Sequence, residues 1–230
     1  MDRDPERRRP RMTRTVAVAL ASAALFAACA TSAAAAVPPS LTTLESSAED
    51  LVDAALAGNR AEVTAIAATL SRVARGPVAK SLKRTHLRRA TIRRLEARAT
   101  AVDRIAARGS FTRVALAANA VSGLMPGVYR HFRDRVPPSV LTLDYLDRET
   151  QLRALAGERK RVTAAVRRLA STWRPLRRRV IAAGGAKPAA AYTTHVAAMT
   201  RLLKRTLKEV RAEAVHGLVL VDRLEAVFTR

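Results

Sequence analysis

Apolar residues recur along this chain at three- and four-residue steps, the period of helices with one buried face. The first clear stripe is Leu51, Val52, Ala55 and Leu56, and Ser46-Ser47-Ala48-Glu49 ahead of it has the Ser-x-x-Glu form of a capping box. Gly58-Asn59 closes that helix and caps the next. Asn59 stands at the N-cap with Glu62 three residues on, and Val63, Ile66, Ala67, Leu70 and Val73 follow on one face. Gly76-Pro77 reads as a stop, and a long basic helix is expected from about Val78 into the Gly123 region, broken near Pro126-Gly127. After the linker Val136-Pro137-Pro138, the second half reads as one long helix from Ser139 through Leu155, Val162 and Leu169 to Gly184-Gly185. Pro188 then opens a last helix with Tyr192, Val196, Met199, Leu203, Thr206, Val210, Ala214, Gly217, Val221, Leu224 and Phe228 on its core stripe.

Two blocks repeat. Ala55-Leu56-Ala57-Gly58-Asn59-Arg60 with Val63-Thr64-Ala65 matches Ala154-Leu155-Ala156-Gly157-Glu158-Arg159 with Val162-Thr163-Ala164. Ala118-Asn119-Ala120-Val121-Ser122-Gly123-Leu124 matches Ala212-Glu213-Ala214-Val215-His216-Gly217-Leu218. Their shared order and nearly equal offset indicate a duplication, with units of about 43–135 and 139–230. The expected fold is all-α: two duplicated hairpins of long helices forming one four-helix bundle domain over 37–230, with a pseudo-twofold axis.

Residues 1–36 have the layout of a secretory signal: Arg7-Arg8-Arg9, Arg11 and Arg14, then an apolar run from Val16 to Ala28, then Ala33 to Ala36. Met12 would make a tidier start. The run is too short and Ala-rich for a comfortable span, which needs about 20 strongly apolar residues. Phe26-Ala27-Ala28-Cys29 resembles a lipoprotein box, and Ala34-Ala35-Ala36 before Val37 an ordinary cleavage site. Cys29 is therefore a lipidation candidate that would tether the protein to a membrane, or is discarded with the leader. Either way the expected location is the cell envelope or the exterior.

With aromatics at 3% against 49% hydrophobic residues, the core must be Ala, Leu and Val in closely packed helices. Cys29 is the single cysteine, so the rest of the chain can form neither disulfide nor thiolate metal site. Ala-Leu-Ala-Gly, Leu143-Asp144-Tyr145-Leu146-Asp147-Arg148-Glu149, Trp173-Arg174-Pro175-Leu176 and Val221-Asp222-Arg223-Leu224-Glu225-Ala226-Val227-Phe228 carry a resemblance. Through them the chain resembles a group of small exported all-helical proteins of bacteria that have no known activity. The resemblance implies the fold and no chemistry.

Candidate chemistry is sparse. Glu209, Glu213 and His216 lie on one stripe, and Glu213-x-x-His216 has the spacing of bundle di-iron sites. The duplicated position offers only Asn119 and Ser122, and Arg201 and Arg205 continue the stripe, so an exposed ladder of ion pairs is the plainer reading. Haem between a His and a Met is a further alternative, although Cys-x-x-Cys-His is absent and Met199 suits a core gap. His86, His131 and His195 read as surface or satisfied histidines. No nucleophile elbow or phosphate-cradling glycine loop occurs, so the chain reads as non-enzymatic and without a cofactor.

The net charge of +23 changes the picture more. Arg84, Arg88, Arg89, Arg93, Arg94 and Arg98 crowd one segment with only Glu96 against them, and Arg174, Arg177 and Arg178 fall in a second run without acids. Such faces are either solvated or attract anionic lipid, cell-wall polymer or an acidic protein. The leader and the scarcity of aromatics argue against sequence-specific nucleic-acid recognition.

Overall fold

The computed structural model describes residues 35–229, and among these the fold is all-α. Residues 1–34 of the leader, Cys29 among them, lie outside the described residues. The first half comprises α1 (Pro39–Leu56), α2 (Arg60–Val73), a π-helical turn (Ala74–Val78), α3 (Ala79–Leu82), α4 (Arg89–Arg108), α5 (Phe111–Ser122) and α6 (Met125–Tyr129). The second comprises α7 (Pro138–Leu155), α8 (Arg159–Ala182), α9 (Ala186–Leu202) and α10 (Leu207–Thr229).

Each long helix expected from the periodicity is divided. α7 and α8 part at Gly157, whose φ of +76° reverses the chain, as Gly58 at +75° does between α1 and α2. Glycine alone adopts that conformation without a Cβ penalty. The basic helix expected from Val78 to Gly123 breaks twice: at a turn after Leu82, and at Gly109-Ser110, where the Ser110 hydroxyl accepts from Arg113 N. The last helix breaks at 203–206, and Thr206 with Glu209 forms a capping box there: Glu209 N donates to Thr206 Oγ1 at 3.2 Å and Thr206 N to Glu209 Oε2 at 2.9 Å. Ser46 and Glu49, by contrast, lie inside α1, which starts at Pro39 with proline at its first position. Gly76-Pro77 does not stop the chain either. The π turn widens the helix around the prolyl ring, and the helix runs on to Leu82. The Asn59 cap forms as expected, accepting from Glu62 N.

The consequence is two four-helix rings rather than two hairpins sharing one bundle. In the first, α1 packs on α2 and α5, and α4 on α2 and α5; in the second, α7 packs on α8 and α10, and α9 on α8 and α10. Each ring holds its own core. Leu41, Leu44, Leu70, Leu95 and Val121 are among the residues that fill the first, and Leu143, Leu169, Trp173, Tyr192 and Leu224 are among those that fill the second. α5 packs on α7 to join them, and Leu152 of α7 reaches into the first core. The two rings also open alike, with Pro38-Pro39-Ser40 at the start of the first and Pro137-Pro138-Ser139 at the start of the second. Arg60 forks onto the carbonyls of Ala106 and Gly109, both at 2.9 Å, and Arg159 onto those of Leu203 and Arg205 at 3.1 and 3.0 Å. Repeat-equivalent arginines thus secure equivalent inter-helix turns.

Candidate functional site

The α5–α7 seam has two sides, and the fold places α4 and α8 on one of them. Arg88, Arg89, Arg93, Arg94 and Arg98 are exposed along α4 and its N-cap, Arg84 is exposed in the turn before it, and Arg174, Arg177 and Arg178 are exposed on α8. Buried Ile92, Leu95, Ala99 and Val102 hold α4, and Val162, Val166, Leu169 and Trp173 hold α8, so helical geometry leaves the intervening arginines facing solvent. None of these nine has an acidic partner within ion-pair distance among the described residues.

The nine do not form one constellation. Arg94 alone among them reaches the seam, where a cleft of about 370 Å³ sets it with Arg130, His131 and Arg168, beside Thr91, Thr142 and Tyr145 and without an acidic side chain. The Arg168 guanidinium lies 5.9 Å from the centre of the Tyr145 ring. Arg89 and Arg93 border a separate hollow with Lys83 and Glu96. Arg174, Arg177 and Arg178 surround Pro175 and the exposed Ile181 on α8. Arg130 and Arg168 were not singled out by sequence reasoning, because each sits alone or among many arginines and only the seam gives it neighbours.

The histidine and carboxylate stripe of the second half resolves differently from either expectation. Glu209 is the exposed capping residue of α10, and His216 is exposed. Glu213 instead turns inward to His195, Oε1 to Nδ1 at 2.8 Å, while His195 Nε2 meets Asp147 Oδ1 at 2.9 Å and Tyr192 donates to Asp147 Oδ2 at 2.6 Å. Asp147 and Tyr192 are 0% exposed and His195 2%. Gly217 permits this: a Cβ there would lie 2.6 Å from both Asp147 and His195. An imidazolium donating from both ring nitrogens satisfies both carboxylates. Burial lowers the His195 pKa, but the hydrogen bonds and charges of Asp147, then Glu213, outweigh it and the net shift is upward. Burial pushes Asp147 up, opposed by the bonds from His195 and Tyr192. The centre is internally satisfied, with the Glu213 carboxylate at its partly exposed edge. Among the described residues, no three His, Asp, Glu or Cys side chains converge as metal ligands, so Glu209, Glu213 and His216 do not form the metal site that their spacing allowed. Met199, the haem-ligand alternative, is buried among Val162, Val166, Val210 and Ala214.

No described helix is long and apolar enough to cross a membrane. Comparison of the chain with models of protein families, with curated proteins and with solved structures gives no match.

Proposed function

We propose that the protein is a non-enzymatic binding protein of the cell envelope that engages phosphate-bearing polyanions, anionic lipid surfaces foremost, along the α4 and α8 side of its seam. The observation that carries this reading is the acid-free cleft where Arg94 of α4, Arg168 of α8, and Arg130 and His131 of the chain after α6 come together. Cations gathered without counter-charges repel one another and concentrate anions from solution, and a polyanion that replaces those small ions gains their release. Arg174, Arg177 and Arg178 around exposed Ile181 form a separate patch on α8 with the mixture of cation and apolar side chain that suits a headgroup layer. Location at the envelope rests on the leader pattern in the sequence.

The test is sedimentation with phosphatidylglycerol-containing vesicles beside pure phosphatidylcholine ones. Binding is expected to the former alone, and to weaken at least about tenfold between low and physiological salt, the slope expected for three or more released ions. Joint replacement of Arg94, Arg130 and Arg168 by Ala should lower the affinity by at least about tenfold, at about 1 kcal/mol for each basic side chain near an anionic surface. Binding that ignores salt, or that survives this triple change intact, would remove the proposal.

A further inference from the structure

The other side of the seam has the opposite charge. There α1, α7 and α10 enclose a cleft of about 570 Å³, and six of the chain's nineteen acidic residues line it: Glu45, Glu49, Asp134, Asp144, Asp222 and Glu225, against Arg133, Arg135 and Arg148. In a chain of net charge +23 this concentration runs against the composition. Arg148 approaches Glu49 and Asp144, both at 3.4 Å, and Tyr129 donates to Glu45. Asp222 and Glu225 have neither an ion-pair nor a side-chain hydrogen-bond partner among the described residues.

A second observation is independent of the carboxylates. Ser122, at the C-terminal end of α5, is one of the residues lining the same cleft; it is 5% exposed, and its buried Oγ has no hydrogen-bond partner. A buried hydroxyl without a partner carries a desolvation cost that a ligand donor would relieve.

We propose that this cleft binds an aliphatic polyamine, its ammonium groups held by Glu45, Asp144 and Glu225 and by the Ser122 hydroxyl. The carboxylates are spread through the cleft and do not converge as metal ligands. Val37, Val136 and Leu141 line the cleft with them, which matches separated cations on a methylene chain better than one compact ion. Burial pushes Glu45 and Glu225 up to about 7 and Asp144 up to about 6, with neighbouring carboxylates adding to each, so a bound cation would displace protons there. The chain as a whole repels polycations, so stoichiometric binding would have to come from a local site.

The test is calorimetric titration of the full chain with spermidine at pH 6 and pH 8, in buffers of different ionisation heat. The expected result is one spermidine per chain, bound with proton release at pH 6 and with less release at pH 8. Glu45→Gln and Glu225→Gln should each weaken it at least about tenfold, the scale of one lost charge-assisted hydrogen bond, and Ser122→Ala should weaken it less. A variant that loses its helical circular dichroism is replaced by Asp222→Asn, whose side chain is exposed. Absent binding, or binding unchanged in folded Glu225→Gln and Glu45→Gln, overturns the proposal. So does calcium binding that spermidine does not displace, which would make the cleft a metal site, or exclusive binding of an oligoarginine peptide, which would make it a protein-docking surface. Vesicle binding on the opposite side is measured with different variants and stands or falls separately.

Discussion

At the scale of single residues, the most constrained side chain is His195. It sits between Asp147 and Glu213, with Tyr192 completing the coordination of Asp147; Asp147, Tyr192 and His195 are buried, and the Glu213 side chain remains 23% exposed. The first ring carries Ala48 and Asn119 at the corresponding positions of α1 and α5, so only the second copy has this centre. Removing the imidazole leaves Asp147 buried without a compensating cation. His195→Ala should therefore cost about 3–5 kcal/mol in chemical denaturation, the usual penalty for breaking a buried pair from one side. A loss below about 1 kcal/mol would show that the centre is not ionised.

At the scale of elements, the joints matter more than the helices. Arg60 and Arg159 each tie the start of one helix to the carbonyls that close the third long helix of their ring, carbonyls with no helical partner of their own. Arg60 also stacks on Phe111, 4.3 Å from the ring centre. Arg159→Ala should cost about 1 kcal/mol, the net value of such hydrogen bonds at an exposed position. Arg159→Lys should recover little of it, because one ammonium cannot serve two carbonyls as a guanidinium fork does. The midpoint of urea unfolding measured for wild type and both variants decides the point; equal stability of the lysine variant and wild type would mean that charge, not geometry, holds the joint.

For the whole molecule, charge separation about the α5–α7 seam predicts an unusual pH dependence. Glu45 and Glu225 at about 7 and Asp144 at about 6 lie above ordinary carboxyl values, and the net shift of His195 is also upward. A group whose folded pKa is raised favours the native state while it is protonated. That contribution is complete below the unfolded value and is lost as pH rises through the folded one. All four groups act in the same direction, so the melting temperature should fall between about pH 5 and pH 8, most steeply near 6 to 7. The double variant Glu45→Gln/Glu225→Gln should flatten the profile. A melting temperature that rises over this interval would contradict the assignment of these four groups.

Helicity, the matching blocks and the crowding of arginines are all local properties, and periodicity and composition recorded them in the chain. A helical stripe tells which face is buried, because its period is a property of one segment, but not which other helix covers it. For the same reason the stripe running from Tyr192 to Phe228 concealed the break at 203–206, where apolar spacing continues across the turn, although Thr206-x-x-Glu209 is a readable cap. Gly157 was equally ambiguous, since glycine is tolerated inside helices and becomes a reversal only when φ turns positive. Tertiary packing alone closed two rings and drew Glu213 away from His216 toward His195. It also brought Glu45, Asp144 and Glu225 to one cleft and Arg94, Arg130 and Arg168 to another. These groups are far apart along the chain, and only the seam between the rings makes them neighbours.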